Sequence, residues 1–286
     1  MKDKYTALWV SHSSISNFKK CPRAYYLQHI FRHPKSGNKI KVVGPALALG
    51  QAVHEVLEQL SSLSVDKRFR ESLIQKFDVV WEKVSGKKGG FVSQEQERKY
   101  KMRGQEMLRT VMSHPGPLQN LAVKIQQDLP YYWLSEEENI ILCGKIDWLE
   151  YLKDTDSVHI IDFKTGRSRE EDDSLQLPIY HLLVHNCQHR KVDRVSYWYL
   201  EEGPALTQRE LPGLEESEQK VMEIAKKIKL ARQLEAFKCS QGNGCHACTP
   251  YERVLEGGAE FVGRGEYGED IYMVQESAEI PESILL

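Results

Sequence analysis

The chain has 286 residues, 41% of them hydrophobic, with six cysteines and a formal net charge of −2. That length suits one elaborated globular domain, and the lack of any run of about 18 apolar residues argues against a membrane span. The start, MKDKYTALWVSHSS, lacks the apolar stretch of a signal peptide, so a cytoplasmic protein is expected, its cysteines reduced or metal-bound.

Taken in chain order, SISNFKK reads as a short helix capped by Ser13 or Ser14, with Ile15 and Phe18 on one face. Pro22 interrupts it, and AYYLQHIF continues as a second helix. Residues 31–43 are polar and read as a loop. ALALGQAVHEVLEQLSSL has helical spacing, and two further amphipathic helices are expected over 66–84 and 93–113. The pattern then changes. A strand is expected near 119–134, another in NIILCGKIDWLEYL, and a third in DSVHIIDFKTG with its β-branched run. SLQLPIYHLLVH reads as a helix with Pro178 near its start, VDRVSYWYLEEG and ALTQREL as a hairpin, and 214–237 as a long charged helix. Residues 257–286 read as an irregular tail. The order predicts an α/β fold, a mixed central sheet flanked by helices, with a helical N-terminal elaboration.

Near-neutral charge does not advertise nucleic-acid binding, yet it leaves room for a local basic groove. Lys19, Lys20 and Arg23, and Arg98, Lys99, Lys101 and Arg103, are candidates; each set reads more simply as a solvated helix face. A sharper signal lies in the strands. Asp147 and Asp162 each stand at the end of an expected strand, and Lys164 lies two residues beyond Asp162, on the same face. If the strands are hairpin neighbours, the two carboxylates meet. They repel unless a cation sits between them, and oxygen ligands of this kind suit Mg²⁺. A lysine beside such a cation can position a water or stabilise a phosphoryl transition state. Asp-x-Lys alone is an ordinary solvent-facing pair; the composite is not.

GKIDWLE, IIDFKTG and QLPIY, in that order, resemble motifs of the PD-(D/E)XK nuclease superfamily, in particular its RecB-like branch. SHSSISNFKKCPRAYYL and LGQAVHEVLE are similar to the N-terminal Cys-Pro segment and the helical Gly-x-x-x-His motif of that branch. The resemblance runs from about residue 11 to 251 and implies a restriction-endonuclease-like fold. It implies that His54, Asp147 and Asp162 ligate Mg²⁺ or Mn²⁺, with the Phe163 carbonyl also facing the metal. Lys164 becomes the catalytic lysine, and Gln176 and Tyr180 arrange the site or the DNA. Trp148 departs from the pattern, standing where the family often has arginine.

Cys239, Cys245 and Cys248 cluster near the C-terminus, far in sequence from Cys21. Three thiolates plus a distant fourth suit a [4Fe–4S] cluster or Zn²⁺ tying the ends of a domain together. Iron–sulfur members of the branch, AddB-type nucleases and CRISPR-associated adaptation nucleases among them, use one N-terminal and three C-terminal cysteines. Here the spacing differs: the family's last cysteine falls on Val254, and Cys239 lies upstream instead. The expectation is an iron–sulfur clasp, with zinc the alternative and His246 a further ligand in that case. Cys143 and Cys187 are expected to be buried, inert thiols.

The reading is a nuclease domain over residues 1–256 that hydrolyses DNA, as an exonuclease on single strands or ends, in repair, recombination or CRISPR adaptation. A helicase or another repair or adaptation protein is a candidate partner, and no membrane is involved. Two rivals stand beside it: a non-cleaving DNA-binding scaffold, disfavoured by the intact His, Asp, Asp and Lys set, and a site-specific endonuclease, disfavoured by the N-terminal and cysteine elements.

Overall fold

The structure is a computed structural model and describes residues 3–274. Its centre is a mixed sheet of four strands: β5 (Trp148–Leu152), β6 (Ser157–Lys164), β7 (Val192–Tyr199) and β8 (Thr207–Arg209), in the order β5-β6-β7-β8. β5 and β6 are antiparallel, β6 and β7 parallel, β7 and β8 antiparallel. β6 is buried along its length until Lys164, as expected for a strand covered on both faces.

Three helices cover one face. They are α3 (Pro45–Leu60), α4 (Leu73–Trp81) and α5 (Gln94–Ser113), and their core includes Trp148, Ile161, Phe163 and Trp198 of the sheet. Trp148 is 1% exposed, and the Arg68 guanidinium lies 4.9 Å from its ring centre. The other face meets α6 (Gln176–Cys187) and α7 (Leu214–Gln233) through Leu149, Val158, Ile160, Val195 and Tyr197. The alternation along β6 therefore sends Ile161 and Phe163 to one side and Ile160 to the other. α6 accepts Pro178 as its third residue, where the missing N–H costs no helical bond.

Before the sheet come β1 (Leu8–Val10), α1 (His12–Lys20) and α2 (Pro22–Tyr25), then one wide π-helical turn at Tyr26–Ile30. α1 is capped by Ser11, two or three positions before the expected Ser13 or Ser14. The Ser11 side chain accepts from the Ser14 N–H at 3.3 Å, and Ser14 Oγ accepts from the Ser11 N–H at 2.8 Å, a reciprocal box. Cys21 then caps α2, and Pro22 takes its first position.

Two expectations are corrected. The run 139–152 is not one strand. It splits into β4 (Ile140–Cys143), paired with β1 and with β3 (Tyr131–Ser135), and β5. The break falls at residues 144–147, where a Cβ on Gly144 would lie 2.9 Å from Leu183 Cδ1. Asp147 therefore precedes β5 instead of ending a strand. Nor is the stretch after 256 irregular throughout. After α8 (Thr249–Leu255) come β9 (Ala259–Arg264) and β10 (Asp270–Val274), and β10 pairs parallel with β2 (Ile40–Val43), inside the stretch read as a loop. The β2–β10 pairing joins the two ends of the chain, which local polarity does not reveal. Asp270 secures the junction, accepting from Asn38 Nδ2 at 2.9 Å and from Ser36. The rest of the expected tail, 275–286, lies outside the described residues.

Candidate active site

The β5–β6 hairpin pairs Trp148 with Ile161, so Asp147 comes beside the next residue of β6, Asp162. Asp147 Oδ2 accepts the Phe163 N–H at 2.9 Å. His54 enters from α3. Its Nδ1 donates to the Gly50 carbonyl at 2.9 Å, and its Nε2 lies 3.0 Å from the Phe163 carbonyl oxygen and 3.2 Å from Asp147 Oδ2. Gly50 has its own reason: a Cβ there would sit 3.2 Å from Thr165 Oγ1, so glycine lets α3 close on the end of β6.

Asp162 is 2% exposed. Its Oδ1 accepts from Gln176 Nε2 at 2.7 Å. Its Oδ2 lies 2.9 Å from Lys164 Nζ but off the angle of a hydrogen bond, and it has no hydrogen-bond partner. Gln176 also accepts from Lys164 and donates to Tyr180 Oη at 3.3 Å, one turn along α6. The sequence-predicted residues His54, Asp147, Asp162, Lys164, Gln176 and Tyr180 thus form one connected constellation.

Burial and the Asp147 charge push the Asp162 carboxyl up to about 7, against the pull of Lys164. Burial opposes a charge on His54, but Asp147 and the Gly50 carbonyl outweigh it and push that imidazole up to about 9. Both shifts have one origin: two carboxylates share a buried space in which positive charge is strongly favoured. A proton on His54 Nε2 supplies one charge there; a divalent cation would supply two. The donors that face this space are an imidazole nitrogen, two carboxylates, one with an unpartnered buried oxygen, and a backbone carbonyl. That set fits a hard divalent cation which keeps some water.

Sequence reasoning missed Glu170, His12 and Tyr197. Glu170 Oε1 lies 2.9 Å from Lys164 Nζ, and the ring of Tyr197 is 5.1 Å from the same atom. Burial would raise the Glu170 carboxyl, but Lys164 and Ser174 hold it below its usual range. Burial works against the Lys164 charge too, and Asp162 and Glu170 more than restore it. His12 is pushed down to about 4 by burial, Glu170 partly opposing. No spacing links Glu170 to the site, because an irregular loop carries it there. His12 had a signal, its place within the SHSS segment.

Of the basic candidates, Arg23 is bound to Glu252 at 2.5 Å and Lys19 to Asp173 at 3.4 Å. Lys99, Lys101 and Arg103 pair with Glu95, Asp78 and Glu201, as a solvated face would.

Cys21, Cys239, Cys245 and Cys248 bring their sulfurs within 4.8 Å of one another, and none is in a disulfide. Ala24, Leu27, Tyr26, Phe31 and Tyr251 enclose them. Burial pushes the Cys21 thiol up to about 12. Cys245 is also penalised by burial, but the N–H groups of Cys248 and Ala247 bring it down to about 7. Four sulfurs in one small shell, one near ionisation at neutral pH, fit a thiophilic metal or cluster. His246 is exposed and is not among the clustered ligands. Cys143 is buried as expected, whereas Cys187 is only half-buried, 3.6 Å from the Tyr131 carbonyl oxygen.

No helix among the described residues is long and apolar enough to cross a membrane. No curated protein matches the chain. The family profile of the PD-(D/E)XK nuclease superfamily matches residues 9–254, which take in the whole constellation and all four clustered cysteines, and the chain belongs to that superfamily of metal-dependent nucleases.

Proposed function

We propose that the chain hydrolyses phosphodiester bonds of DNA, as a RecB-like exonuclease on single strands or ends, with Mg²⁺ or Mn²⁺ held by His54, Asp147, Asp162 and the Phe163 carbonyl. The observation that carries this reading is Asp162: a buried carboxylate with one oxygen held by Gln176 and the other unpartnered beside Lys164. When bound, the cation supplies an activated water and charge at the phosphoryl group. Asp147, before β5, and Asp162, on β6, would hold it together with His54 of α3. Lys164 places its ammonium where it can orient the attacking water and stabilise charge growing on the phosphoryl oxygens. Gln176 fixes Asp162 and Lys164 relative to one another, and Tyr180 fixes Gln176. Water adds to phosphorus, the P–O3′ bond breaks, and the products carry a 5′-phosphate and a 3′-hydroxyl. Repair, recombination or CRISPR adaptation in the cytoplasm, beside a helicase or an adaptation protein, is the setting that the RecB-like motifs support.

The test is cleavage of end-labelled single-stranded DNA in Mn²⁺. Asp162→Asn and Lys164→Met are expected to bind DNA but to cut it at least about 10²-fold more slowly. Undiminished cleavage by either variant overturns the assignment.

The four cysteines support a structural [4Fe–4S] clasp in this reading. Zinc is the second reading, and one distance favours it: Cys245 and Cys248 sulfurs are 3.8 Å apart. A zinc–sulfur bond of about 2.3 Å gives a tetrahedron with an edge of about 3.8 Å. Broad absorbance of anaerobically purified protein, set against its iron and zinc content, separates the two.

A further inference from the structure

Three oxygens surround the Lys164 ammonium: Asp162 Oδ2 at 2.9 Å, Glu170 Oε1 at 2.9 Å, and Gln176 Oε1. Gln176 accepts one of its N–H groups, the Asp162 oxygen stands beside it off the hydrogen-bonding angle, and the Glu170 carboxylate holds a place that a phosphate oxygen would take. Asp162 and Gln176 are 2% and 7% exposed and held by the core. Glu170 comes from the surface loop 165–175 between β6 and α6, and its side chain is 28% exposed. It is the partner that can leave.

The same loop makes two more contacts of this kind. Asp172 Oδ1 lies 3.0 Å from Arg209 Nη1 on β8, and Asp173 Oδ2 lies 3.4 Å from Lys19 Nζ on α1. Both aspartates are largely exposed, so neither pair contributes much to stability. Arg209 also donates to the Glu170 carbonyl at 3.5 Å. Within four consecutive residues, three carboxylates thus lie on three cations that come from three different elements. Lys19, Arg209, Asp172 and Asp173 line a cleft of about 930 Å³ between α1, the loop, β8 and α7, together with Lys20 and Lys220. Carboxylate and phosphate oxygens make the same kind of charge-assisted contact with lysine and arginine.

We propose that this cleft leads a single DNA strand to Lys164, and that Glu170, Asp172 and Asp173 occupy there the places of its phosphates until the strand displaces them. The inference rests on the DNA-nuclease reading. It accounts for the balanced charge of the cleft: the loop's carboxylates cover Arg209 and Lys19, Glu216 and Glu223 of α7 cover Lys220 and Lys227, and Tyr197 lines the same cleft 5.1 Å from Lys164 Nζ. A strand binds by exchanging weak exposed ion pairs for phosphate contacts and released counterions.

The test is the binding of labelled oligothymidylate to the full chain in Ca²⁺, followed by anisotropy over a range of KCl. Asp172→Asn/Asp173→Asn is expected to tighten binding about fivefold at low salt, since two exposed ion pairs no longer compete, and to make binding fall more steeply as salt rises. Glu170→Gln added to the pair should tighten it further. Arg209→Ala and Lys19→Ala should each weaken binding. Unchanged or weaker binding by the Asn pair, in protein that still cuts DNA in Mn²⁺, overturns this inference and leaves the nuclease reading standing. A wild-type chain that neither binds nor cuts single-stranded DNA overturns the reading beneath it.

Discussion

Gln176 connects the metal-facing side of the site to the lysine side. Its amide has one orientation that works: nitrogen toward Asp162 and Tyr180, oxygen toward Lys164. Gln176→Ala would leave the buried Asp162 Oδ1 without its donor and free Lys164 to move. Groups that orient ligands in this way typically contribute about 10–100-fold to activity. We therefore expect Gln176→Ala to lower kcat by about that factor with little change in KM, and Tyr180→Phe, which removes only the 3.3 Å contact, to cost less. Steady-state cleavage kinetics check the order. The strand period showed that Asp162 and Lys164 share a face, whereas Gln176 and Tyr180 were pointed to by the resemblance, since two residues four apart on a helix are by themselves ordinary packing. Glu170 was not legible, because a loop has no period from which its direction can be read. A second residue sets a pH limit on folding. His29 stacks on Tyr25 at 5.0 Å, and its Nε2 lies 3.1 Å from Asn17 Nδ2, a donor that only a neutral imidazole can accept from. Burial, then Lys39 and Arg232, push its pKa down to about 4. The folded value is below the ordinary 6.5, so His29 contributes stability above about pH 6.5 that is lost as pH falls toward about 4. His29→Phe keeps the stack without the titration. Its melting temperature should fall less than that of the wild type over that window; a parallel fall would sink the argument.

At the scale of elements, the question is why α3, α4 and α5 approach so closely over the sheet. Gly104, in the middle of α5, is a poor helix former, yet a Cβ there would lie 2.4 Å from Phe77 Cζ on α4 and 2.9 Å from Leu49 Cδ1 on α3. Alanine would gain about 1 kcal/mol of helix propensity but overpack a fully buried Phe77 at a cost of about 1–3 kcal/mol. Urea denaturation should rank wild type above Gly104→Ala, and Gly104→Ala above Gly104→Val. An alanine variant with a higher midpoint than wild type would show that the helices have slack. The helices themselves were readable from their apolar spacing, and β6 from its β-branched run. The break between β4 and β5 was not readable, since an alternating pattern continues through Gly144 and Asp147 although the chain changes sheets there. β2 escaped notice because a four-residue strand has little pattern of its own. Its evidence is its partner, and that partner lies at the other end of the chain.

At the scale of the whole molecule, the C-terminal segment returns to the N-terminal part of the chain twice, through the β2–β10 pairing and through the third, small core. That core brings Cys21 to Cys239, Cys245 and Cys248, and beside it Arg23 grips Glu252 through two bonds of 2.5 and 3.1 Å. The spacing of the cysteines told which residues would meet; the departure from the family's order did not prevent it, because Cys239 reaches the cluster from a loop ahead of Cys245. Three buried thiols and a half-buried fourth offer only weak hydrogen bonds without a metal, and each thiolate placed there repels the next. A metal or cluster reverses that balance, and its binding free energy then adds to the folding free energy of the segments it joins. We expect Cys248→Ser to lower the melting temperature by about 10 °C, as a loss of a few kcal/mol would in a domain of this size. Arg23→Ala, which breaks only a partly exposed ion pair, should lower it by much less. Because the clasp cysteines are not among the residues that contact Asp162 or Lys164, DNA cleavage per folded molecule well below the melting point should stay within about twofold of wild type for both variants. A Cys248→Ser protein that melts as the wild type does would remove the structural role. One that melts normally but fails to cut would move the cluster from the scaffold into the reaction.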